Sequence, residues 1–359
     1  MRSTLDELVA ELADLKTLVA SIEPVNQALA GHSDTAVRQY LQVRRRFDYA
    51  AFTVALYASF EKFVENLITA YVRLETRRVD YKELPQKLTE KHLTRTAELL
   101  SRRRMGEGRY VGMSDLSVVK NLFDCLSGAK PYSLNEAVVM AHDANLRASE
   151  VDSVFAAVGI DSICDRACRA DAIISWYCKA HGLDTPPRDG VRRTVLDERL
   201  KGIVERRNQV AHRGGNPDDL LGAAAMSKAV TFIEALSTSL FGLVVGRYLL
   251  AHHAVSRGGI ELVLRDGPFK GRTIVVVDKP AQRLFIGQPV FVVMSKGARW
   301  GRIQSLRVDD TDVQELAADS NAPSGVGVGL DFKFPTSTDA RLVALRVEDD
   351  VVWSPQLVA

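Results

Sequence analysis

The chain has 359 residues, of which 46% are hydrophobic and 26% charged, and its formal net charge is +2. This length and composition predict about two domains with a sizeable core and exclude a disordered chain. Neither the first 254 residues nor the remainder has a marked excess of one charge sign. Binding to nucleic acid would therefore depend on a local basic patch rather than on bulk charge.

Sequence features also indicate the compartment. Four cysteines in a chain of this length are too few for a disulfide scaffold, which indicates a reducing environment. The N-terminus is acidic and amphipathic, unlike a signal peptide. The most apolar run, residues 240–246, is too short to span a bilayer. We therefore expect a cytoplasmic protein that does not contact a membrane.

The first 250 residues have the periodicity of helices. The first helix carries an a/d seam that either packs into its own bundle, which we favour, or forms a dimer contact. Longer helices are predicted over 34–75, 197–213 and 220–251, and the last is apolar on most faces. Gly214-Gly215 is expected to end the helix over 197–213, and Asn216-Pro217 to restart the chain. The seam consists of Leu5, Leu8, Leu12, Leu15, Val19 and Ile22.

Beyond residue 255 the pattern changes to short β-rich runs separated by turns. Six strands are predicted, and six short strands in about 100 residues favour a small closed or nearly closed barrel. The sequence thus predicts an α+β protein in two domains, helical over 1–254 and all-β over 255–359. The predicted strands are 260–264, 273–277, 289–293, 302–308, 326–332 and 341–345.

The segment Arg207-Asn208-Gln209-Val210-Ala211-His212 carries the candidate chemistry. Glu205, Asn208 and His212 share one helix face, and Arg207 lies about 140° around from His212. At a helix C-terminus the dipole favours a protonated imidazole, which suits a proton donor. The alternative is structural: His212 caps the last carbonyls, and Arg207 pairs with Asp197 or Glu205.

A permanent cation beside an imidazole suits the cleavage of RNA. RNA supplies its own nucleophile, the 2′-hydroxyl, so the protein needs a base, an acid and a cation near the phosphorane oxygens, and no metal. One chain offers one such histidine for two proton transfers. Twofold pairing of two copies would bring two His212 and two Arg207 side chains to one cleft.

The segment resembles the R-x(4–6)-H signature of the HEPN superfamily, in its Arg-Asn-x-x-x-His form. Residues 55–67 resemble the early helix of prokaryotic HEPN proteins, and residues 142–160 resemble the middle of that family. The similarity spans roughly residues 40–250. It implies an up-and-down helical bundle that dimerises through the motif helix, with Arg207 and His212 as catalytic pair and Asn208 orienting the histidine or the phosphate. It also implies metal-independent cleavage that leaves a cyclic phosphate. Glu61 matches a family position.

Residues 287–291, 296–316 and 325–330 resemble the second domain of elongation factor Tu. The chain has no P-loop, so no GTPase accompanies this barrel. The resemblance implies a module that binds tRNA or the ribosome, and a protein–protein or oligomerisation module is the favoured alternative.

Two further groups of side chains, one basic and one of cysteines with a histidine, have types that could bind a ligand. Basic clusters usually lie on solvated helix faces. The alternative is contact with RNA from a loop, and the candidates for it are Arg102, Arg103, Arg104 and Arg109. Cys164, Cys168, Cys178 and His181 match no common zinc spacing, so we interpret the cysteines as buried thiols and expect neither metal nor cofactor.

Together these features predict a metal-independent endoribonuclease with a composite site in a homodimer, acting as a toxin or antiphage effector. RNA is the expected partner, with tRNA slightly favoured, and a regulatory or antitoxin protein is a further possible partner. The alternative is a non-catalytic scaffold that binds RNA or protein. Nucleotidyl transfer is a weaker third hypothesis, because the sequence has no transferase motif.

Overall fold

The computed structural model describes nine stretches of the chain, and two compact units account for them. One unit is Thr4–Phe241, and the other is Gly242–Ala359 together with Met1–Ser3. The division thus lies inside the last long helix, whereas the change from helix to strand comes later, between His252 and Ile260. The described residues are 1–102, 105–141, 144–212, 220–255, 259–278, 282–294, 297–318, 325–335 and 340–345.

Ten α-helices lie within the described part of the first 252 residues. They confirm the helical character that was predicted for this region. The three long helices whose bounds were predicted lie close to those bounds, and the middle of the region is built from shorter helices. They are α1 (Arg2–Ala30), α2 (Thr35–Arg78), α3 (Gln86–Arg102), α4 (Asp115–Ser127), α5 (Glu136–Val139), α6 (Ala148–Ala157), α7 (Ile163–Ala167), α8 (Asp171–His181), α9 (Arg193–His212) and α10 (Ala223–His252).

The a/d seam of α1 is buried. Leu5, Leu8 and Leu12 are at most 5% exposed, and Leu15 and Val19 are each 7% exposed. The seam therefore packs inside its own chain, as we favoured, and does not offer a dimer contact.

Helix α9 begins one turn before its predicted start. The guanidinium of Arg193 binds the carboxylates of Asp197, Asp152 and Asp165 at 2.7, 2.8 and 3.1 Å. This cluster ties the first turn of α9 to α6 and α7. The predicted stop at Gly214-Gly215 and the restart at Asn216-Pro217 lie outside the described residues.

Helix α10 is apolar along its length. By length and composition it is the one described helix that could cross a membrane, with a mean hydropathy of 1.7 over its most apolar window. However, 67% of that window is buried. A buried, all-round apolar helix is also what the centre of a helical bundle requires, so the burial favours a core helix.

Ten short strands follow α10 in the described residues. They are β1 (Ile260–Leu262), β2 (Leu264–Phe269), β3 (Ile274–Val277), β4 (Leu284–Phe285), β5 (Pro289–Met294), β6 (Gly297–Val308), β7 (Thr311–Val313), β8 (Glu315–Leu316), β9 (Val326–Leu330) and β10 (Arg341–Ala344). The main sheet is antiparallel with the order β1-β10-β5-β6-β9-β3-β2, β7 pairs with β6, and β4 pairs with β8.

The sheet curls into a nearly closed barrel. Its two terminal strands, β1 and β2, are separated in the chain by Val263 alone. Strand β6 turns the corner: its first half pairs with β5, its second half pairs with β9, and the register shifts between Ile303 and Ser305. Such an irregularity bends a strand sharply. The predicted barrel is confirmed, and its likeness to elongation factor Tu stays a prediction.

Small residues on the last turns of α10 explain why they belong with the strands. A Cβ at Gly242 would lie 3.5 Å from the Trp300 ring, and one at Gly246 would lie 3.5 Å from the backbone of Ala298. Both Trp300 and Ala298 are on β6. The two glycines, one turn apart, therefore let α10 approach the sheet closely.

Candidate active site

Helix α9 holds Arg207 and Asn208 at the edge of the helical core. Leu196, Leu200 and Val204 are each 1% exposed, and α9 packs against α2. The following turn places Arg207 and Asn208 half-buried. Their backbone is thus fixed by the core, while their side chains reach the surface.

A chain of polar contacts joins three elements around these two residues. The Tyr57 hydroxyl on α2 donates to Glu61 Oε1 at 3.0 Å and lies 3.4 Å from Asn145 Oδ1. Asn145 Nδ2 donates to Asn208 Oδ1 at 3.2 Å, and Arg207 Nη1 donates to the same oxygen at 3.1 Å. The contacts therefore run from α2, through the loop before α6, to the motif on α9.

Arg207 determines which groups donate and which accept along this chain of hydrogen bonds. A guanidinium can only donate, so the Asn208 side chain must present its oxygen to Arg207 and its NH2 group must point the other way. Asn145 must then present its NH2 group to the same oxygen, which leaves its own oxygen toward Tyr57. One permanent cation thereby orients two amides.

Tyr57 supports Arg207 in a second way. The Arg207 guanidinium carbon lies 5.2 Å from the centroid of the Tyr57 ring, within the range of a cation–π interaction. The ring is 2% exposed, and its hydroxyl accepts a hydrogen bond from the Leu146 backbone N–H at 3.0 Å. Burial, with a further contribution from the Glu61 carboxylate, raises the Tyr57 pKa well above its usual range, so the phenol keeps its proton.

No carboxylate among the described residues neutralises Arg207. Glu205 lies 3.8 Å from Lys201 Nζ and 4.0 Å from Arg147 Nη2, and Asp197 binds Arg193. The alternative in which Arg207 pairs with Asp197 or Glu205 is therefore not what the described residues adopt. The Arg207 guanidinium, half-buried and held by Asn208 and Tyr57, therefore has no carboxylate counter-ion among the described residues.

His212 is the last residue of α9 and is exposed. Within the part of the chain that the structure describes, no hydrogen bond or ion pair involves its ring. The segment that follows it, residues 213–219, lies outside the described residues. The polar chain therefore includes Asn208 and Arg207 but does not extend to His212.

Of the other candidate residues that the structure describes, one belongs to the polar chain and the rest lie outside it. Glu61 belongs to the polar chain, through Tyr57, whereas Glu205 pairs with cations on the exposed side of α9. Arg109 lies 3.6 Å from Glu65, one turn beyond Glu61 on α2. Arg102 is exposed at the end of α3. The two remaining candidates for RNA contact, residues 103 and 104, lie outside the described residues.

The cysteines are mostly buried. Cys164 is fully buried and its thiol donates to the Ala148 carbonyl at 3.5 Å. Burial raises the pKa of Cys168 to about 11, and Cys178 is half-buried. In the described stretches no group of three or more His, Cys, Asp or Glu side chains could hold a metal ion.

Two members of the polar chain, Tyr57 and Asn145, were not predicted. The available signal for Tyr57 was its position one turn before Glu61, on the same helix face. Asn145 had no comparable signal, because its role depends on a loop that packs across 63 positions of sequence against Asn208.

A family model described as RiboL-PSP-HEPN matches residues 7–245, which is more than half of the chain. The match covers α2, the loop before α6 and the whole of the motif on α9, and it confirms the resemblance inferred from the motif. A search of curated proteins found no match to this chain. The chain belongs to the RiboL-PSP-HEPN family.

Proposed function

We propose that this protein is a metal-independent endoribonuclease. One observation carries the proposal: the Arg207 guanidinium is held by Asn208 and stacked on Tyr57, with no carboxylate partner among the described residues. A guanidinium so fixed is preorganised for the non-bridging oxygens of a phosphodiester, where negative charge grows in the transition state. HEPN domains include ribonucleases, which agrees with this chemistry.

The reaction needs two proton transfers. The 2′-oxygen attacks phosphorus and loses its proton to a base, while the bond from phosphorus to the 5′-oxygen breaks. An acid protonates the departing 5′-oxygen, and a 2′,3′-cyclic phosphate remains. His212 takes one of these roles in each copy, and two copies supply both, so the site is shared in a homodimer that forms through the motif helix.

RNA is the proposed substrate class, with tRNA slightly favoured because the barrel resembles a tRNA-binding domain. The biological role we propose is a cytoplasmic toxin or antiphage effector, restrained by a regulatory or antitoxin protein. Arg102 and Arg109 lie in or near the loop before α4 and are candidates for contacts with the RNA backbone.

The decisive experiment measures cleavage of a labelled tRNA pool in EDTA, with product ends tested for cyclic phosphate. We expect Arg207→Ala to lower the rate by about 10²–10³-fold, the loss typical when one transition-state donor is removed. We expect His212→Ala to lower it by about 10²–10⁴-fold. An RNA with 2′-O-methyl groups should resist cleavage, because its nucleophile is blocked.

Arg206→Ala is the matched control. Arg206 neighbours Arg207 and is also half-buried, but it donates to Tyr49 at 3.3 Å and lies outside the polar chain. Its removal should leave cleavage within about twofold. Equal rates for wild type, Arg207→Ala and His212→Ala would reject the site. RNA binding without cleavage would favour the non-catalytic scaffold.

A further inference from the structure

Two cations beside the motif converge on one carboxylate oxygen. Glu205 Oε1 lies 3.8 Å from Lys201 Nζ, one turn earlier on α9, and 4.0 Å from Nη2 of Arg147, the residue that precedes α6. Both distances exceed the roughly 2.7–2.9 Å of a charge-assisted hydrogen bond. Each cation is therefore close to the carboxylate without being bonded to it. Two positive charges against one negative charge leave the group with a net charge of +1.

The backbone holds Arg147 beside the polar chain. Its N–H donates to the Asn145 carbonyl at 2.7 Å, and the Leu146 N–H between them donates to the Tyr57 hydroxyl. The Asn145 side chain in turn donates to Asn208 on α9. The turn that carries Arg147 is thus the same one that contacts the motif, so this cation is anchored at its backbone next to the candidate active site.

Glu205 and Lys201 also lie on the same face of α9 as the motif histidine. At 100° per residue, Lys201, Glu205 and His212 fall within about 40° of one another around the helix. Along the helix axis, Glu205 lies about 10 Å before His212. All three side chains are exposed. A polynucleotide strand that passes His212 along this face of α9 would therefore meet the two cations next.

We propose that Arg147 and Lys201 bind a backbone phosphate of RNA that flanks the scissile one, and that Glu205 occupies this phosphate site until RNA displaces it. This inference rests on the proposed function, because the site adjoins the motif that would cleave the strand. Glu205 presents a single oxygen to both cations, whereas a phosphodiester presents two non-bridging oxygens that share its charge. Each cation can therefore form its own hydrogen bond with the phosphate, at about 2.8 Å.

The exposure of the three side chains makes this exchange easy. Arg147, Lys201 and Glu205 have side chains that are 52%, 63% and 46% exposed. Ion pairs this exposed change an equilibrium by at most about fivefold each. The Glu205 carboxylate therefore leaves the cations at little cost, and water solvates it when its side chain turns outward. Its presence should nevertheless lower the affinity for RNA by a measurable factor.

The first test is binding of a short 2′-O-methyl oligoribonucleotide to the full chain, measured by fluorescence anisotropy at a series of salt concentrations. This RNA has no free 2′-hydroxyl, so binding is measured without cleavage. We expect Glu205→Gln to tighten binding by about 3- to 10-fold, because the phosphate no longer displaces a carboxylate. Arg147→Ala and Lys201→Ala should each weaken binding by about 3- to 10-fold. Each should also reduce the slope of log Kd against log salt concentration by about 0.7.

Glu198→Gln is the matched control. Glu198 is an exposed carboxylate on the same face of α9, about two turns before Glu205, and it forms no ion pair among the described residues. The substitution removes the same charge about 10 Å farther along the helix, which is roughly a Debye length at about 0.1 M salt. Affinity at that salt concentration should therefore change by less than about twofold. Equal gains for Glu198→Gln and Glu205→Gln would assign the effect to overall charge and overturn the inference.

A double-mutant cycle separates displacement of Glu205 from a structural role of the cations. Once both cations are replaced, in Arg147→Ala/Lys201→Ala, the further change Glu205→Gln should tighten binding by less than about twofold. Arg147→Lys should retain most of the affinity that Arg147→Ala loses, because it keeps the charge. A Glu205→Gln variant that binds RNA no tighter than wild type, or a full gain that persists without both cations, would overturn the inference. Circular dichroism checks that the variants fold, which their exposed positions favour.

Cleavage kinetics separate this inference from the proposed function. The losses in Arg147→Ala and Lys201→Ala should appear in KM rather than in kcat, because a flanking phosphate is bound equally in the ground state and the transition state. A wild type that shows these changes in binding and cleaves no RNA would reject the nuclease while supporting the phosphate site. A wild type that cleaves RNA, with a KM that neither these substitutions nor Glu205→Gln changes, would support the nuclease and overturn the inference.

Discussion

Replacement of Tyr57 by phenylalanine tests whether the polar chain positions Arg207. The substitution keeps the ring beneath the Arg207 guanidinium and removes the hydroxyl alone. That hydroxyl accepts from the Leu146 N–H, donates to Glu61 and lies 3.4 Å from Asn145 Oδ1. Its loss frees the Asn145 side chain from α2, and through Asn145 it weakens the placement of Asn208.

The free-energy cost of Tyr57→Phe follows from the burial of the Leu146 amide. Leu146 is 0% exposed, so its N–H finds no water in place of the phenol oxygen, and an unsatisfied buried donor costs about 1–3 kcal/mol. The half-buried Glu61 regains water and adds little. A loss of roughly 2 kcal/mol corresponds to about 4–8 °C in Tm for a domain of this size. Because small displacements in a reacting site cost up to about 100-fold in rate, we expect cleavage to fall by about 10- to 100-fold.

The assays are thermal unfolding, hydrogen exchange at the Leu146 amide and RNA cleavage. Tyr49→Phe is the control, because Tyr49 is also fully buried on α2 but bonds Arg206 instead of the polar chain. We expect Tyr49→Phe to lower stability by about 1 kcal/mol and to leave the cleavage rate unchanged. A Tyr57→Phe variant that matches wild type in amide exchange and cleavage rate, or an equal loss of activity in both variants, would refute a positioning role for the polar chain.

Two further predictions concern stability. Burial lowers the pKa of His92 to about 4, so as pH falls below about 6.5 the unfolded chain binds a proton before the folded chain does. The free energy of unfolding should therefore decline by roughly 3 kcal/mol between pH 6.5 and pH 4. His92→Gln should flatten this dependence of the unfolding free energy on pH, measured by urea titration. An unchanged slope in this variant would assign the pH dependence to other groups. Arg193→Met removes the cation shared by three carboxylates and should lower the free energy of unfolding in urea by about 2 kcal/mol. Arg192 is the exposed neighbour of Arg193, and Arg192→Met should lower it little. Equal urea midpoints for these two variants would show that the cluster adds no stability.

An apolar face or seam predicted the long helices α1, α2 and α9, whereas α10 was predicted from a long apolar stretch. The start of α9 was misplaced by one turn because Arg193 looks like a solvated residue in sequence, and its three carboxylate partners come from separate elements. Distant ion pairs leave no periodic signal. The same reason explains why the cluster itself was not anticipated.

The barrel was predicted from its longer strands, and the shorter ones were missed. Strand β2 was not separated from β1, because Asp266, Gly267 and Pro268 suggest a turn, although the strand accommodates these residues with register shifts against β3. Strands β4 and β8 have two residues each and are defined by their mutual pairing alone. A ladder of that length depends on tertiary contacts and not on local propensity.

The motif was visible in sequence, but the reason why Arg207 and Asn208 are neighbours emerges only from the fold. Adjacent helix positions point about 100° apart, so their side chains do not ordinarily share a ligand. Here the Asn208 oxygen accepts from Arg207 and from Asn145, which leaves the Asn208 NH2 group directed away from both. In the proposed site, a phosphate bound by Arg207 would therefore also receive a hydrogen bond from the Asn208 NH2 group, whose direction is already set. His212, exposed at the end of the same helix, is not held by that chain. In the proposed reaction, charge placement by Arg207 and proton transfer by His212 would thus depend on different side-chain contacts of one helix. Mutations in the polar chain should therefore affect the placement of Arg207 and leave His212 as the proposed proton donor or acceptor.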